Sequence, residues 1–267
     1  MGESIKEVIR KRRSVRSFDG EGLSEEDIAT ITECLEQSDN PFGVRVEFKF
    51  LEASAHKLTS PVIVGEKYYV AAKVDKTLPL YEVAFGYSFE KFCLLAAKQG
   101  FGTVMLAATL SRKTFEHALE LSENEIMPVA SPVGRVGKMS VREKLMRKGV
   151  KADKRLPFDE LFFDGDFSKP LSPDKAGKFF DALEAVRLAP SAVNKQPWRA
   201  VVDGDSVRFY EKRSINDKRI DIQRVDIGIA CTHFDLVMQE GGYNGSFVVE
   251  DNVPTADAEY VVTYKLD

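Results

Sequence analysis

The segment "RRSVR" (12–16) is the strongest candidate for binding an anion. Arg12 and Arg16 are four residues apart, with Ser14 between them. If the N-terminal helix reached this far, both guanidinium groups would share one helix face. Two arginines and a hydroxyl could then hold a phosphate, because arginine offers paired donors. On this segment alone, the favoured interpretation is a solvated basic helix end that complements the helix dipole.

A second segment, "APSAVNKQPW" (189–198), concentrates small polar side chains between two prolines. Both donors and acceptors are provided by Ser191, Asn194 and Gln196. They could form hydrogen bonds with the polar edge of a flat heterocycle. An irregular polar loop fixed at both ends is a common place for a binding site. Trp198, the only tryptophan in the chain, could form a wall of that site, although a core position is the favoured interpretation.

Composition argues against several other classes of function. A net charge of −4 over 267 residues provides no global basic field for nucleic acid. The basic stretch 141–155 lacks interleaved aromatic residues and is interpreted as a solvated arm. No apolar run of about 18 residues occurs, so no membrane span is expected, and the first residues do not resemble a secretory signal. Three scattered cysteines and three isolated histidines favour a reduced, cytoplasmic setting without a metal site.

Apolar spacing predicts helices and strands in alternation along the whole chain. Ser24 with Asp27 indicates a weak capping box, Ser172 before Pro173 another helix start, and Asp203–Gly204 a hairpin turn. Helices are predicted over 4–13, 24–37, 82–99, 111–121, 170–188 and 225–241, and strands over 44–53, 67–74, 102–108, 126–134, 198–212 (a hairpin), 246–251 and 258–266.

The two halves of the chain share an order of elements. The two long helices align without a gap at an offset of 142 positions, and the segments 23–35 and 171–183 align at an offset of 148. Each match is weak alone, but the shared order favours an internal duplication whose repeats share one interface. "RRSVR" occurs only in the first half and "PSAVNKQPW" only in the second. The aligned helix pairs are Val83 with Val225, Gly86 with Gly228, Phe92 with Phe234 and Gly100 with Gly242.

Together these segments resemble the nitroreductase family of flavin mononucleotide (FMN) enzymes. "RRSVRSF" is similar to the family's first motif, "APSAVNKQPWRAVV" to its second, and "FEKFCLLAAKQGFGTVML" to its central helix and the strand that follows. The resemblance implies an α+β, nitroreductase-like fold in which two tandem α/β repeats form an intramolecular pseudo-dimer, with central helices flanked by mostly antiparallel sheets. The repeats would cover 1–155 and 156–267, packed as one globular unit, and a monomer is expected.

The resemblance also implies which residues bind FMN. The first motif would hold the phosphate and ribityl end, with Arg16 beside the pyrimidine edge and Arg155 joining the phosphate clamp. The second motif would line the ring from the other repeat, and the stretch 106–108 would present a backbone N–H near flavin N5, although the family often has glycines there. The implied cofactor-binding residues are Arg12, Arg13, Ser14, Arg16, Leu106, Ala107, Ala108, Arg155, Pro190, Ser191, Ala192 and Asn194.

The function implied by the resemblance is an FMN oxidoreductase. NADH or NADPH would deliver hydride through FMN to a small electron acceptor, such as a nitroaromatic or a quinone. No side chain is assigned as catalytic, because the cofactor carries the redox chemistry. Two alternatives stay open: a protein that binds FMN for storage, sensing or processing without NAD(P)H turnover, and a non-flavin interaction protein that uses the arm 141–155.

Overall fold

The computed structural model describes residues 2–216 and 219–267. The chain forms two compact units: the middle unit, Lys11–Ala152, and the terminal unit, which combines Met1–Arg10 with Asp153–Asp267. The sequence-based boundary at 155/156 differs from this division, because the first ten residues pack with elements of the second half. Within the terminal unit, Lys6 forms an ion pair with Asp181 at 2.8 Å.

The middle unit is built on an antiparallel sheet with the strand order β1-β2-β5-β3, and β4 pairs with β2. Its helix α2 begins with the predicted capping box, since Ser24 and Asp27 bond to each other's backbone. The strands are β1 (Val46–Glu52), β2 (Tyr68–Asp75), β3 (Phe101–Thr103), β4 (Glu125–Ile126) and β5 (Ala130–Arg135). The helices after α1 (Ile5–Lys11) are α2 (Glu25–Glu36), α3 (Ala53–His56), α4 (Tyr81–Lys98), α5 (Arg112–Leu119) and α6 (Val141–Gly149).

The terminal unit contains a second sheet with the order β6-β7-β8-β10-β9. Only β6 and β7 are parallel; the other neighbours are antiparallel. The predicted hairpin is confirmed, with its turn at Gly204 and Asp205. The elements are α7 (Phe158–Leu161), β6 (Phe162–Asp164), α8 (Phe180–Leu188), β7 (Trp198–Asp203), β8 (Ser206–Glu211), α9 (Ile222–Glu240), β9 (Gly245–Val248) and β10 (Glu259–Leu266).

Both units repeat one topology. In each, a hairpin precedes a long buried helix, a short strand follows that helix, and a last strand pairs with both the short strand and the second hairpin strand. The order β1-β2-β5-β3 therefore corresponds to β7-β8-β10-β9. Both long helices, α4 and α9, are buried over most of their length, as expected for helices that are apolar on all sides. The predicted α+β fold with mostly antiparallel sheets is confirmed.

Several predicted elements are shorter than their sequence patterns indicated. The N-terminal helix ends at Lys11 rather than at residue 13. The strand predicted over 102–108 ends at Thr103. The helix predicted over 170–188 begins at Phe180, after two 3₁₀ turns, because Gly177 has φ +53° and interrupts a regular helix.

Candidate functional site

The segment 12–17 is paired to a strand and does not continue helix α1. Ser14 bridges to Thr103 of β3, and the Val15 N–H donates to the Thr103 carbonyl at 2.9 Å. Arg12 and Arg16 therefore do not share a helix face, which corrects the conditional expectation from their spacing. The segment is held by isolated backbone bridges, and Val15, between Ser14 and Arg16, is buried.

Arg12 is buried beside an acidic side chain of the long helix α4. Its Nε lies 3.6 Å from Oε1 of Glu90, and the two side chains are only 9% and 1% exposed. That distance is longer than a hydrogen bond, and the Arg12 Nε has no hydrogen-bond acceptor among the described residues. Arg12 therefore has a nearby counter-ion but still presents an unsatisfied donor.

Helix α6 holds the other side of the same segment through Glu143. This carboxylate is 1% exposed and accepts from Arg13 Nη1 at 2.6 Å and from the Arg16 N–H at 3.3 Å. Ser140, which caps α6, hydrogen-bonds to Ser17. Part of the stretch interpreted as a solvated arm is thus a helix fixed to the motif, and the Arg13 side chain is used in that contact.

Arg16 is a partly buried cation of the motif, with one acidic and one basic neighbour. Burial lowers the pKa of its guanidinium, while the charges of Glu143 and Arg147 act on that pKa in opposite directions. Its Nε is buried and has no acceptor within the part of the chain that the structure describes. A partly buried cation with an open donor favours a nearby anion.

Not every backbone N–H group in the stretch 106–108 is available to a ligand. The Leu106 N–H donates to the Ala130 carbonyl at 2.8 Å and is therefore used within the fold. Ala107 and Ala108 follow this bridge, and their N–H groups meet no acceptor among residues 2–216 and 219–267. Arg112 holds the turn by donating to the Ala107 carbonyl at 2.7 Å. An open backbone donor is thus available at Ala107 or Ala108.

In the terminal unit, the loop 189–197 adopts a backbone that L-residues rarely use. Val193, Asn194 and Gln196 have φ values of +43°, +57° and +50°, and a β-branched residue such as valine is especially strained there. The Ser191 hydroxyl accepts from the Gln196 N–H at 2.8 Å. Pro190 and Ser191 connect this turn to the end of α8 and are partly exposed.

Two residues that the resemblance assigned separately lie together in this unit. Arg155 Nη1 donates to Asn194 Oδ1 at 3.3 Å, and Arg155 Nη2 donates to the Leu188 carbonyl at 3.0 Å. Asn194 Nδ2 in turn donates to the Lys154 carbonyl at 3.0 Å. The Asn194 side chain therefore joins the loop to the segment that carries Arg155.

Asp226 of α9 holds the same loop from within the core. The Ala192 N–H donates to both carboxylate oxygens at 3.1 Å, and Asp226 is 2% exposed. Burial raises the pKa of Asp226 well above its usual range, against the opposing effect of the Ala192 N–H. The Ala192 N–H is therefore used within the fold.

Sequence reasoning missed three buried acids, Glu90, Glu143 and Asp226. A signal existed for two of them in the alignment of the long helices, because Asp226 stands opposite Ala84 and Glu90 opposite Thr232. A charge at a position where the other repeat has none could have identified both. The core interpretation of Trp198 is confirmed, since it is 0% exposed.

No cluster of three or more His, Cys, Asp or Glu side chains suited to a metal ion occurs within 2–216 and 219–267. In the same ranges, no helix combines the length and apolar character that crossing a bilayer requires.

Comparisons with known proteins agree with this fold. A family model described as "Putative TM nitroreductase" matches residues 4–238. A "putative nitroreductase" from Thermotoga maritima is 20% identical with a TM-score of 0.63, covering 100% of this chain and 94% of that one. The chain therefore belongs to this nitroreductase family and has a nitroreductase-like fold.

Other solved structures match about half of the chain. An FMN-dependent nitroreductase from Clostridium difficile is 14% identical with a TM-score of 0.43, covering 50% of this chain and 88% of that one. A protein from Bacteroides thetaiotaomicron described as "Putative NADH dehydrogenase/NAD(P)H nitroreductase" is 18% identical with a TM-score of 0.44, covering 52% of this chain and 90% of that one. Among curated proteins, none matches this chain.

Proposed function

We propose that this protein is an FMN-dependent oxidoreductase that passes hydride from NADH or NADPH to a small acceptor, such as a nitroaromatic or a quinone. The observation that carries the proposal is the donor set of the first motif. The Nε groups of Arg12 and Arg16 are both buried without an acceptor among the described residues. A bound phosphate or flavin edge would satisfy such donors, and membership of the nitroreductase family supports FMN as the source.

Each unit would contribute its own contacts to FMN. In the middle unit, Arg12 and Ser14 would bind the phosphate and ribityl end, and Arg16 would bind the pyrimidine edge. Arg13 has a supporting role, because its guanidinium is engaged by Glu143 at 2.6 Å. In the terminal unit, Pro190, Ser191, Ala192 and Asn194 would line the ring, and Arg155 would assist with the phosphate.

The chain would act through charge and positioning. Bound FMN would supply the redox chemistry by accepting and returning hydride. The Arg16 cation would stabilise negative charge at the pyrimidine edge, since a partly buried positive charge acts more strongly than one in water. The open N–H of Ala107 or Ala108 would offer a hydrogen bond to the flavin ring. No side-chain proton donor is assigned.

Anaerobic titration tests the proposal. The purified chain is loaded with FMN, and its flavin absorbance is followed as NADH or NADPH is added without oxygen. Bleaching followed by recovery with a quinone is expected. A bound flavin that neither nucleotide bleaches would reject the oxidoreductase and leave an FMN-binding protein without turnover.

Two substitutions test the assigned contacts. Arg12→Ala and Asn194→Ala are each expected to weaken FMN binding about 10- to 100-fold, as measured by quenching of flavin fluorescence, because a charge-assisted or buried hydrogen bond contributes roughly 1.5–3 kcal/mol. Arg45→Ala is a matched control, since the Arg45 side chain is 84% exposed. Normal FMN affinity in both test variants would overturn the assignment of the two motifs.

A further inference from the structure

Asp226 is a buried acid with no cationic partner among the described residues. It is 2% exposed, and no Lys, Arg or His of the described residues forms an ion pair with it. The acids Glu211 and Asp221 are close enough to disfavour its charge further. Burying a carboxyl group in such surroundings is costly, so its presence in the core requires an explanation.

Among the described residues, the hydrogen-bond partner of Asp226 is the loop of the second motif. Both carboxyl oxygens lie 3.1 Å from the Ala192 nitrogen, which starts the turn containing Val193 and Asn194. Those two residues have φ values of +43° and +57°. A strained turn persists only when its surroundings fix it, and the contact with Asp226 anchors its first residue.

The repeat provides an independent comparison. The position of α4 that corresponds to Asp226 is Ala84, which is 0% exposed. The first half has no counterpart of the loop 189–197; its short "SDNPFGVRV" stands in that place. The buried acid therefore occurs only in the repeat that has the loop, which ties its presence to the loop rather than to the packing of a long helix.

We propose that Asp226 is a positioning residue that holds the Ala192–Asn194 turn in the conformation that contacts FMN. This inference rests on the proposed function. Asp226 would not touch the cofactor itself; it would act by accepting the Ala192 N–H and thereby fixing Ser191 and Asn194. An uncharged acceptor of the same shape should serve equally well.

The main test compares three variants of the full chain. Asp226→Ala should weaken FMN binding about tenfold or more and speed amide hydrogen exchange in residues 190–196. Asp226→Asn should retain near wild-type values of both, because its amide oxygen still accepts the Ala192 N–H. Asp235→Asn is the matched control: Asp235 is 5% exposed on the same helix and lies about 13.5 Å further along its axis.

A substitution on the donor side makes the test independent of folding defects in Asp226→Ala. Ala192→Pro removes the N–H and adds ring carbons on the same nitrogen, and the preceding Ser191 is already extended (φ −145°, ψ 163°), as a residue before proline should be. It should weaken FMN binding as Asp226→Ala does. The double variant with both substitutions should bind FMN about as tightly as either single variant, because both remove the same contact.

The outcomes separate this inference from the proposed function. If wild-type protein binds FMN and Asp226→Ala binds it as tightly, the positioning role is rejected. The role is also rejected if both Asp226→Asn and Asp226→Ala lose thermal stability while FMN affinity and exchange in 190–196 stay unchanged. If the wild-type chain binds no FMN, the proposed function fails, whereas hydrogen exchange still tests whether Asp226 fixes the loop.

Discussion

The segment 12–17 and the loop 189–197 differ in whether their backbone pairs with a strand. The first is paired through its backbone, where Val15 bonds to Thr103. The second forms no ladder and is held by side chains, among them Ser191, Asn194 and Asp226. Backbone pairing tolerates many side chains, whereas the loop depends on particular ones. The second motif should therefore be the more sensitive of the two to conservative substitution.

The two long helices also differ in the buried acid that each carries. Each buries one acid next to the motif of its own unit: Glu90 of α4 beside Arg12, and Asp226 of α9 beside Ala192. The corresponding positions in the opposite helix, Thr232 and Ala84, carry no charge. The two units thus share a topology, and at these two positions a buried acid stands beside a polar segment that compensates it.

Ala84→Asp is the most severe test of that comparison. It places a carboxyl group at a 0% exposed position whose unit has no loop N–H to receive it. We expect a loss of about 3–5 kcal/mol in the free energy of unfolding, measured by urea denaturation, because an uncompensated buried charge costs that much. The control is Ala29→Asp on the exposed side of α2, which should cost below about 0.7 kcal/mol. Equal stability of the two variants would contradict the comparison.

Gly102→Ala tests the backbone pairing of the first motif. A Cβ at position 102 would lie 2.8 Å from Cγ1 of Val15, too close for a real contact, so β3 or the segment 12–17 must move. We expect a loss of about 1–3 kcal/mol in stability from overpacking, together with weaker FMN binding.

The matched control for this variant is Gly149→Ala at the end of α6, where no atom lies within 4 Å of the added Cβ. It should be neutral or stabilising by up to about 1 kcal/mol, because alanine favours a helix. The same melting temperature for Gly102→Ala as for wild type would show that the pairing is loose.

Val193→Gly tests the strain in the second motif and should have the smallest effect. Glycine tolerates a φ of +43°, so relief of about 1–3 kcal/mol of strain is offset by about 0.5–1 kcal/mol of backbone entropy. We expect the free energy of unfolding, measured by thermal denaturation, to rise by roughly 1 kcal/mol. Val249→Gly, at a similarly exposed valine without positive φ, should lose stability. A loss in both variants would mean that Val193 is unstrained.

Much of the fold could be predicted because its signals are local. The capping box at Ser24, the hairpin turn at Gly204 and the two long helices follow from residues near each other in sequence. The errors occurred where local signals conflict with the backbone. An apolar run continued past Thr103, but the ladder with β5 is interrupted there, because the Val104 N–H donates to the Ser131 hydroxyl and backbone pairing resumes only at Leu106 with Ala130. The helix pattern before Phe180 was interrupted by the positive φ of Gly177.

The sequence by itself determined the two motifs, their separation into two halves and the duplication, because motif residues and apolar periodicity are written directly in the chain. Only the tertiary structure decided how the motifs are held: by Glu143 and Glu90 in the middle unit, and by Asp226 in the terminal unit. Those acids lie 34 to 130 positions from the residues they contact. Burial and hydrogen bonding across such separations depend on how the chain packs, and no local pattern encodes them.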